Sequence, residues 1–279
     1  MKPSKYSSTK ISIVLPTHNG ARYLKKSLDS CLQQTHSNIE LIIVNDGSTD
    51  TTVDIIQSFN DSRIKYISFP TNKGIVAALN KGFSEATGEF ITWTSDDNYY
   101  AEHAFETMLN VFEKEQHIDF IYTNYYVIDE RGKTIKTGHV ENPEGLDMDN
   151  YVGGCFLYRR KVYEEIGDFN AEAFLVEDYE YWLRVRAKFC MRKLDDILYY
   201  YRTHETSLTE EHGLDKVQDQ VERIRALYIS SWKQNFLIGK RLFYKNEFLQ
   251  SRNYLIKSLF EHPLYYQTWR MLIKGVLKK

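Results

Sequence analysis

Three short apolar runs, each stopped by a polar cluster, constrain the fold of this chain more than any other feature. ISIVL (11–15) ends at Pro16-Thr17-His18-Asn19-Gly20, IELIIV (39–44) at Asn45-Asp46-Gly47-Ser48, and EFITWT (89–94) at Ser95-Asp96-Asp97-Asn98. Continuous apolar runs without alternation are buried on both faces, as strands of a parallel sheet are. Helical spacings lie between them: Leu24, Leu28, Cys31 and Leu32, then Ile55 and Phe59, with Ser48 or Asp50 placed to cap the second helix. RIKYISF (63–69) reads as a further strand and 74–86 as a further helix. Strand and helix in alternation specify a doubly wound α/β sheet. Ligands of such sheets bind outside the carboxyl ends of the strands, where the strand order reverses. The polar clusters fall at those ends.

After residue 100 the pattern changes. A helix over 101–115 precedes DFIYTNYYVID (119–129) and a hairpin turn at Arg131-Gly132. The stretch 151–160 reads as a strand with Gly153-Gly154 inside it, Glu177-Asp178 opens a helix to about Lys188, and ILYYYR (197–202) is a last strand. From about 215 the chain is helical and amphipathic. This divides it into a sheet domain, 1–214, and a helical C-terminal extension, 215–279.

Charge supports the same division. Residues 215–279 hold 13 Lys/Arg and 5 Asp/Glu, whereas residues 1–214 hold 23 and 33. A basic tail on an acidic body fits an anionic membrane surface, and a helical cap or oligomer contact fits equally. It carries no nucleic-acid module, so nucleic acid is not an expected partner. Three cysteines far apart (Cys31, Cys155, Cys190) give no metal or redox pair, and no apolar run is long enough to span a bilayer. The expected location is the cytoplasm, with the inner face of the cell membrane as the place of any lipid contact. Tyr is abundant, 21 residues, which suits sugar and nucleotide faces as well as a core.

Asp96-Asp97 is the sharpest local feature. Hard carboxylate oxygens in a strand-end crevice hold Mg²⁺ or Mn²⁺, ions that keep positions open for diphosphate oxygens. Asp46 adds an acid at the second strand tip. A dinucleotide site would need G-x-G-x-x-G after the first strand, and PTHNGARYL stands there instead. A nucleotide site remains, because Asp46 can accept the imide N–H of uracil or thymine.

Taken in order, these segments resemble the family 2 glycosyltransferases, which have the GT-A fold. The match runs through Pro16–Gly20, Val44–Asp50, Asn72-Lys73-Gly74, Ala78–Gly82, Ala86–Glu89 and Ser95–Asn98. It continues with Gly153-Gly154, Glu177–Arg184 and Tyr201-Arg202-Thr203-His204, covering about residues 10–210. The resemblance implies an inverting transfer of a hexosyl or N-acetylhexosaminyl group from a nucleotide sugar. A UDP-sugar is favoured by the Asp46 pairing, which does not separate uracil from thymine. Thr17 and Asp46 would bind the base, with Pro16 and Asn19 lining the pocket, and Asn72 and Lys73 would contact base or diphosphate. Asp96 would face the ribose and diphosphate, and Asp97 would ligate the metal, joined by His204. Where the family often has an acid two residues ahead of the Asp pair, this chain has Thr94.

Asp178 is the expected general base, although a helix N-terminus also suits a plain capping acid. Glu177 is its neighbour on the acceptor side. Gly153 and Gly154 would let backbone approach a sugar, and Trp182 would stack on one unless it packs in the core. The acceptor expected is a saccharide or lipid-linked saccharide of surface-polysaccharide assembly, and the oligomeric state is left open. A non-catalytic nucleotide-sugar-binding or scaffold protein is the alternative, against which intact Asp46, Asp96, Asp97 and Asp178 stand.

Overall fold

The computed structural model describes residues 6 and 8–276. In chain order the elements begin with β1 (Ile11–Thr17), α1 (Leu24–Leu32), β2 (Ile39–Asp46), α2 (Thr52–Gln57), β3 (Ile64–Phe69), α3 (Ile75–Glu85) and β4 (Phe90–Trp93). Then come β5 (Tyr99–Tyr100), α4 (Ala104–Lys114), β6 (Phe120–Ile128), β7 (Thr134–Gly138), β8 (Phe156–Arg159), α5 (Arg160–Ile166), α6 (Glu177–Lys188), β9 (Met191–Arg202) and α7 (Leu208–His212). The last four helices are α8 (Leu214–Tyr228), α9 (Ser231–Tyr244), α10 (Phe248–Glu261) and α11 (Tyr266–Val276).

Nine strands form one mixed sheet in the order β3-β2-β1-β4-β8-β6-β9-β5, with β7 hairpinned onto β6. The β3-β2-β1-β4 half is parallel, β8 is antiparallel to both β4 and β6, and β9 runs parallel to β6. Every residue of β1 is buried, as expected of a central strand with helices on both faces. Chain order runs outward from β1 through β2 and β3, then returns to the other side of β1 with β4. The switch point therefore lies between β1 and β4.

Pro16 is tolerated inside β1 for a reason the register makes plain. Val14 accepts the Thr94 amide from the β4 side, and pairing with β4 ends at Val14↔Trp93. Pro16 has the parity of Val14, so its missing N–H faces the stretch where that ladder has already stopped.

Two expected strands differ. The run at 151–160 is a strand only over Phe156–Arg159, because Gly153 turns the chain with φ +69° and the backbone before Phe156 stays off the ladder. The last strand begins at Met191 rather than 197; its first half is half-exposed and polar, so it lacks the apolar run of a buried strand.

Two compact units result. One runs to Leu146 and resumes over Asn150–Leu214; the other comprises Asp147–Asp149 and the chain from Asp215 onward. The first is built on a core in which Ile13, Leu15, Leu41, Phe90, Phe105 and Ile121 are fully buried. In the second, Phe236, Leu237, Phe243, Leu255 and Met271 form a separate small core. Among the described residues no helix is long and apolar enough to cross a membrane.

Candidate active site

The switch point is closed by one hydrogen bond. Thr17, the last residue of β1, donates its hydroxyl to Asp96 Oδ2 at 2.5 Å. Gly20 makes this contact sterically feasible, since a Cβ there would stand 2.0 Å from Asp96 Oδ2 and 2.7 Å from Thr17 Oγ1. Burial, reinforced by the charge of Asp97, raises the Asp96 carboxyl above the ordinary range, while the Thr17 bond opposes the rise.

Asp46 closes the neighbouring loop. Its two oxygens accept the backbone amides of Lys73 (2.6 Å) and Gly74 (2.8 Å), so the turn after β3 is folded onto the tip of β2. Each oxygen keeps a second lone pair for a ligand N–H. His18 Nδ1 lies 2.7 Å from the Asp46 carbonyl oxygen, and Asn19 accepts the Thr49 amide at 2.8 Å. Asn19 has φ +53°, a left-handed conformation that Asn adopts more readily than most residues. Asn72 Oδ1 accepts the Gly74 amide, and the Lys73 ammonium rests 4.6 Å from the centre of the Phe69 ring. Thr17, Asn19, Asp46, Asn72, Lys73 and Asp96 thus come from four strand ends, those of β3, β2, β1 and β4, which are adjacent in the sheet.

Asp97 and His204 meet although they lie on different strand ends. Asp97 Oδ2 accepts His204 Nε2 at 2.9 Å, and His204 Nδ1 contacts Thr206 Oγ1 at 2.9 Å. Asp97 Oδ1 is buried without a hydrogen-bond partner among the described residues. No group of three or more His, Cys, Asp or Glu side chains suited to a metal occurs among them. A carboxylate and an imidazole, with a spare buried oxygen, nevertheless fit a divalent ion whose remaining positions are filled by phosphate oxygens and water.

Arg202 underlies this pair. Its Nε donates to the Asp97 carbonyl (3.0 Å), and its NH1 donates to the Asp129 and Glu130 carbonyls (2.9 and 3.0 Å). Its guanidinium stacks 4.4 Å from the centre of the Tyr23 ring, and that ring also packs on His204 at 5.2 Å.

Asp178 sits in the first turn of α6. Asn150 Nδ2 donates to its Oδ2 at 2.7 Å and the Tyr179 amide to its Oδ1 at 2.6 Å. Burial raises its pKa and these two bonds oppose the rise. Glu177 beside it is buried, its Oε2 unpartnered among the described residues, and burial plus the Asp178 charge push it up to about 8. Burial raises the pKa of the Tyr201 hydroxyl, and the charges of Asp97 and Asp178 add to the rise.

One expected sugar contact is corrected. Trp182 is fully buried, its ring packed edge-on against Phe120 and Phe156 at 4.9 and 4.7 Å, so no face is left for a sugar. A Cβ on Gly153 would meet the Tyr125 ring at 2.8 Å, and one on Gly154 the Tyr199 ring at 2.7 Å. The side-chain space at those glycines is taken by tyrosine rings, while their backbone stays half-exposed. The motif around Trp182 is structural on this face: Arg184 pairs with buried Glu180 at 2.9 Å and holds the Ile166 and Asp168 carbonyls.

Sequence reasoning passed over Gly20, Asn150, Tyr201 and Arg202 as site residues. Tyr201 and Arg202 stand in the same motif as His204, three and two positions before it, which was the available signal. Asn150 carried none, being an isolated Asn in a loop.

Residues 12–167 match the profile of "Glycosyl transferase family 2". An uncharacterized glycosyltransferase of Rickettsia typhi is 31% identical over 239 residues, covering 82% of this chain and 73% of that protein. One of Rickettsia felis is 31% identical over 242 residues, and there this chain spans only 39% of the relative's length. The chain belongs to glycosyl transferase family 2. Its fold is the GT-A fold of Staphylococcus aureus TarS: residues 1–349 of that protein in complex with UDP-GlcNAc align with a TM-score of 0.64 at 16% identity, over 95% of this chain and 89% of the other. The corresponding complex with UDP aligns at 0.63 and 19%, over 96% and 81%.

Proposed function

We propose that the chain is an inverting glycosyltransferase that moves a sugar, hexosyl or N-acetylhexosaminyl, from a nucleotide-sugar donor to an acceptor hydroxyl. The observation that carries this reading is the meeting of Asp97 with His204 at 2.9 Å and of Asp96 with the tip of β1, at the carboxyl end of the parallel strands, in the unit that also holds Asp178 buried against Asn150. One acidic centre would then stand at the leaving group and the other at the attacking alcohol. The TarS complexes with UDP and UDP-GlcNAc support a uridine donor by analogy of fold.

In this reading Thr17, Asp46 and the backbone at Pro16 and Asn19 hold the base, while Asn72 and Lys73 flank it. Asp96 orients the ribose and diphosphate from its bond to Thr17. Asp97 and His204 would hold Mn²⁺ or Mg²⁺, which when bound offsets charge building on the diphosphate. Asp178, fixed by Asn150 and the Tyr179 amide, takes the acceptor proton as the new glycosidic bond forms and the nucleoside diphosphate departs from the opposite face. Glu177, protonated over much of the neutral range by its raised pKa, keeps a second negative charge away from the approaching alcohol.

The acceptor is a saccharide, free or lipid-linked, in surface-polysaccharide assembly on the cytoplasmic side. Peripheral membrane contact would run through the C-terminal helices, which expose Phe260 (85%), Leu264 (90%) and Trp269 (49%) amid an excess of basic residues. The test is donor turnover by wild type and Asp178→Asn, with UDP affinity measured alongside. Turnover lost with affinity kept supports transfer; UDP bound with no turnover by wild type on any saccharide acceptor would favour a non-catalytic binding protein.

A further inference from the structure

Beside the acidic centres, in the same unit, lies a cavity of about 370 Å³ lined by Tyr125, Val127, Lys136 to His139, Tyr201 and Thr203. Its size is within the range of small-molecule sites, about 300–1,000 Å³. We infer that this cavity is the acceptor subsite and that it takes a saccharide carrying a phosphate or carboxylate. The inference rests on the transferase reading above and specifies its acceptor.

Two aromatic rings give the cavity a sugar-binding wall. Tyr125 and Tyr201 meet edge to face at 5.9 Å. The Tyr125 ring packs directly on glycine backbone: a Cβ on Gly138 would stand 2.3 Å from it and one on Gly153 2.8 Å, so both positions are kept free of side chains. Such a ring is pre-organised, and binding against it costs little conformational entropy. Tyr201 and Thr203 place the cavity beside the chemistry, because they directly precede His204, whose imidazole stands 2.9 Å from Asp97.

The charge is the second feature. Lys136 and His139 line the cavity, both are exposed, and neither side chain has a hydrogen-bond or ion-pair partner among the described residues. The body that carries them holds ten more acidic than basic residues over 1–214. An uncompensated ammonium in an acidic body, next to two rings and an imidazole able to donate a hydrogen bond, is a local reversal of field. A neutral acceptor would gain nothing from it. Lys binds phosphate and carboxylate as a point charge, and the tyrosine rings take the apolar face of the sugar.

The experiment uses the full chain with saturating UDP and Mg²⁺, so that probes are kept out of the donor site. Saturation-transfer NMR compares glucose 1-phosphate, glucuronate and methyl α-glucoside on wild type, Lys136→Ala and Tyr125→Leu. Wild type should bind the two anionic probes about tenfold more tightly than the neutral one, the preference falling with added salt. Lys136→Ala, at an exposed position, should reduce them to the level of methyl α-glucoside and leave UDP affinity unchanged. Tyr125→Leu should weaken all three. The relative strength of the two anionic probes separates a phosphate-bearing from a carboxylate-bearing acceptor. Equal binding of all three by wild type, no binding of any, or no effect of Lys136→Ala overturns the inference. Absence of UDP binding would instead count against the transferase reading.

Discussion

The His204 imidazole stands 2.9 Å from the Asp97 carboxylate, two side chains separated by 107 positions and brought together by the end of β9 lying against the turn after β4. An imidazole nitrogen and a carboxylate oxygen side by side are both ligands that a divalent ion accepts. UDP affinity of wild type should rise by about tenfold or more on replacing EDTA with Mn²⁺, since a Lewis acid contributes several kcal/mol at a diphosphate. Asp97→Asn and His204→Ala should each lose most of that gain. Calorimetric titration with UDP decides it, and identical affinities with and without metal would remove both residues from the cofactor site.

The acid limb of the pH–rate profile should report Asp178. Burial raises its pKa, so turnover climbs as pH rises through that elevated value and is lost below it. The Asn150 bond stabilises the ionised form, so Asn150→Ala should move the limb to higher pH. Asp178→Asn should abolish the limb and cost about 10²–10⁴-fold in turnover. A limb in the same place in Asn150→Ala would exclude Asp178 as its origin.

Glu177 makes an opposite statement about stability. Its folded-state pKa is raised from 4.5 to about 8, so the folded state holds a proton that the unfolded chain releases earlier. Stability should fall as pH rises across that window, and the loss should be complete above it. Glu177→Gln has no such proton, so its melting temperature relative to wild type should rise between about pH 4.5 and 8. Parallel melting curves against pH for the two proteins would contradict the assignment.

For the helical unit, co-sedimentation with vesicles containing phosphatidylserine should recover wild type at low salt and less of it at high salt. A double Phe260→Ser, Leu264→Ser variant alters the two most exposed of Phe260, Leu264 and Trp269 and should stay in the supernatant while melting as wild type does. Equal sedimentation of both would remove these side chains from any lipid contact.

The parallel half of the sheet was legible because each strand is a bare apolar run closed by a polar cluster, and burial on both faces admits little else. The carboxylates were legible for the complementary reason: Asp46, Asp96 and Asp97 sit where a run of that kind must end. Arg202 was not, because its partners are carbonyl oxygens of Asp97, Asp129 and Glu130, groups every residue possesses and no pattern encodes. Trp182 shows the converse limit. Spacing placed it one turn into α6, yet whether its ring meets Phe156 or a ligand depends on which helix face the sheet covers. Gly153 and Gly154 were noticed as a pair, but the rings that fill their space come from β6 and β9, more than two dozen positions away.

Gly20 carries a lesson for engineering. Any library that fixes the acids and randomises the loop after β1 will produce proteins whose sheet assembles normally but whose Asp96 has been levered off Thr17 by a single methyl group. Such clones would be scored as evidence that the loop selects substrate, when what failed was the shape of an empty space. Redirecting the donor preference of this scaffold should therefore begin from positions other than the one that has no atoms to spare.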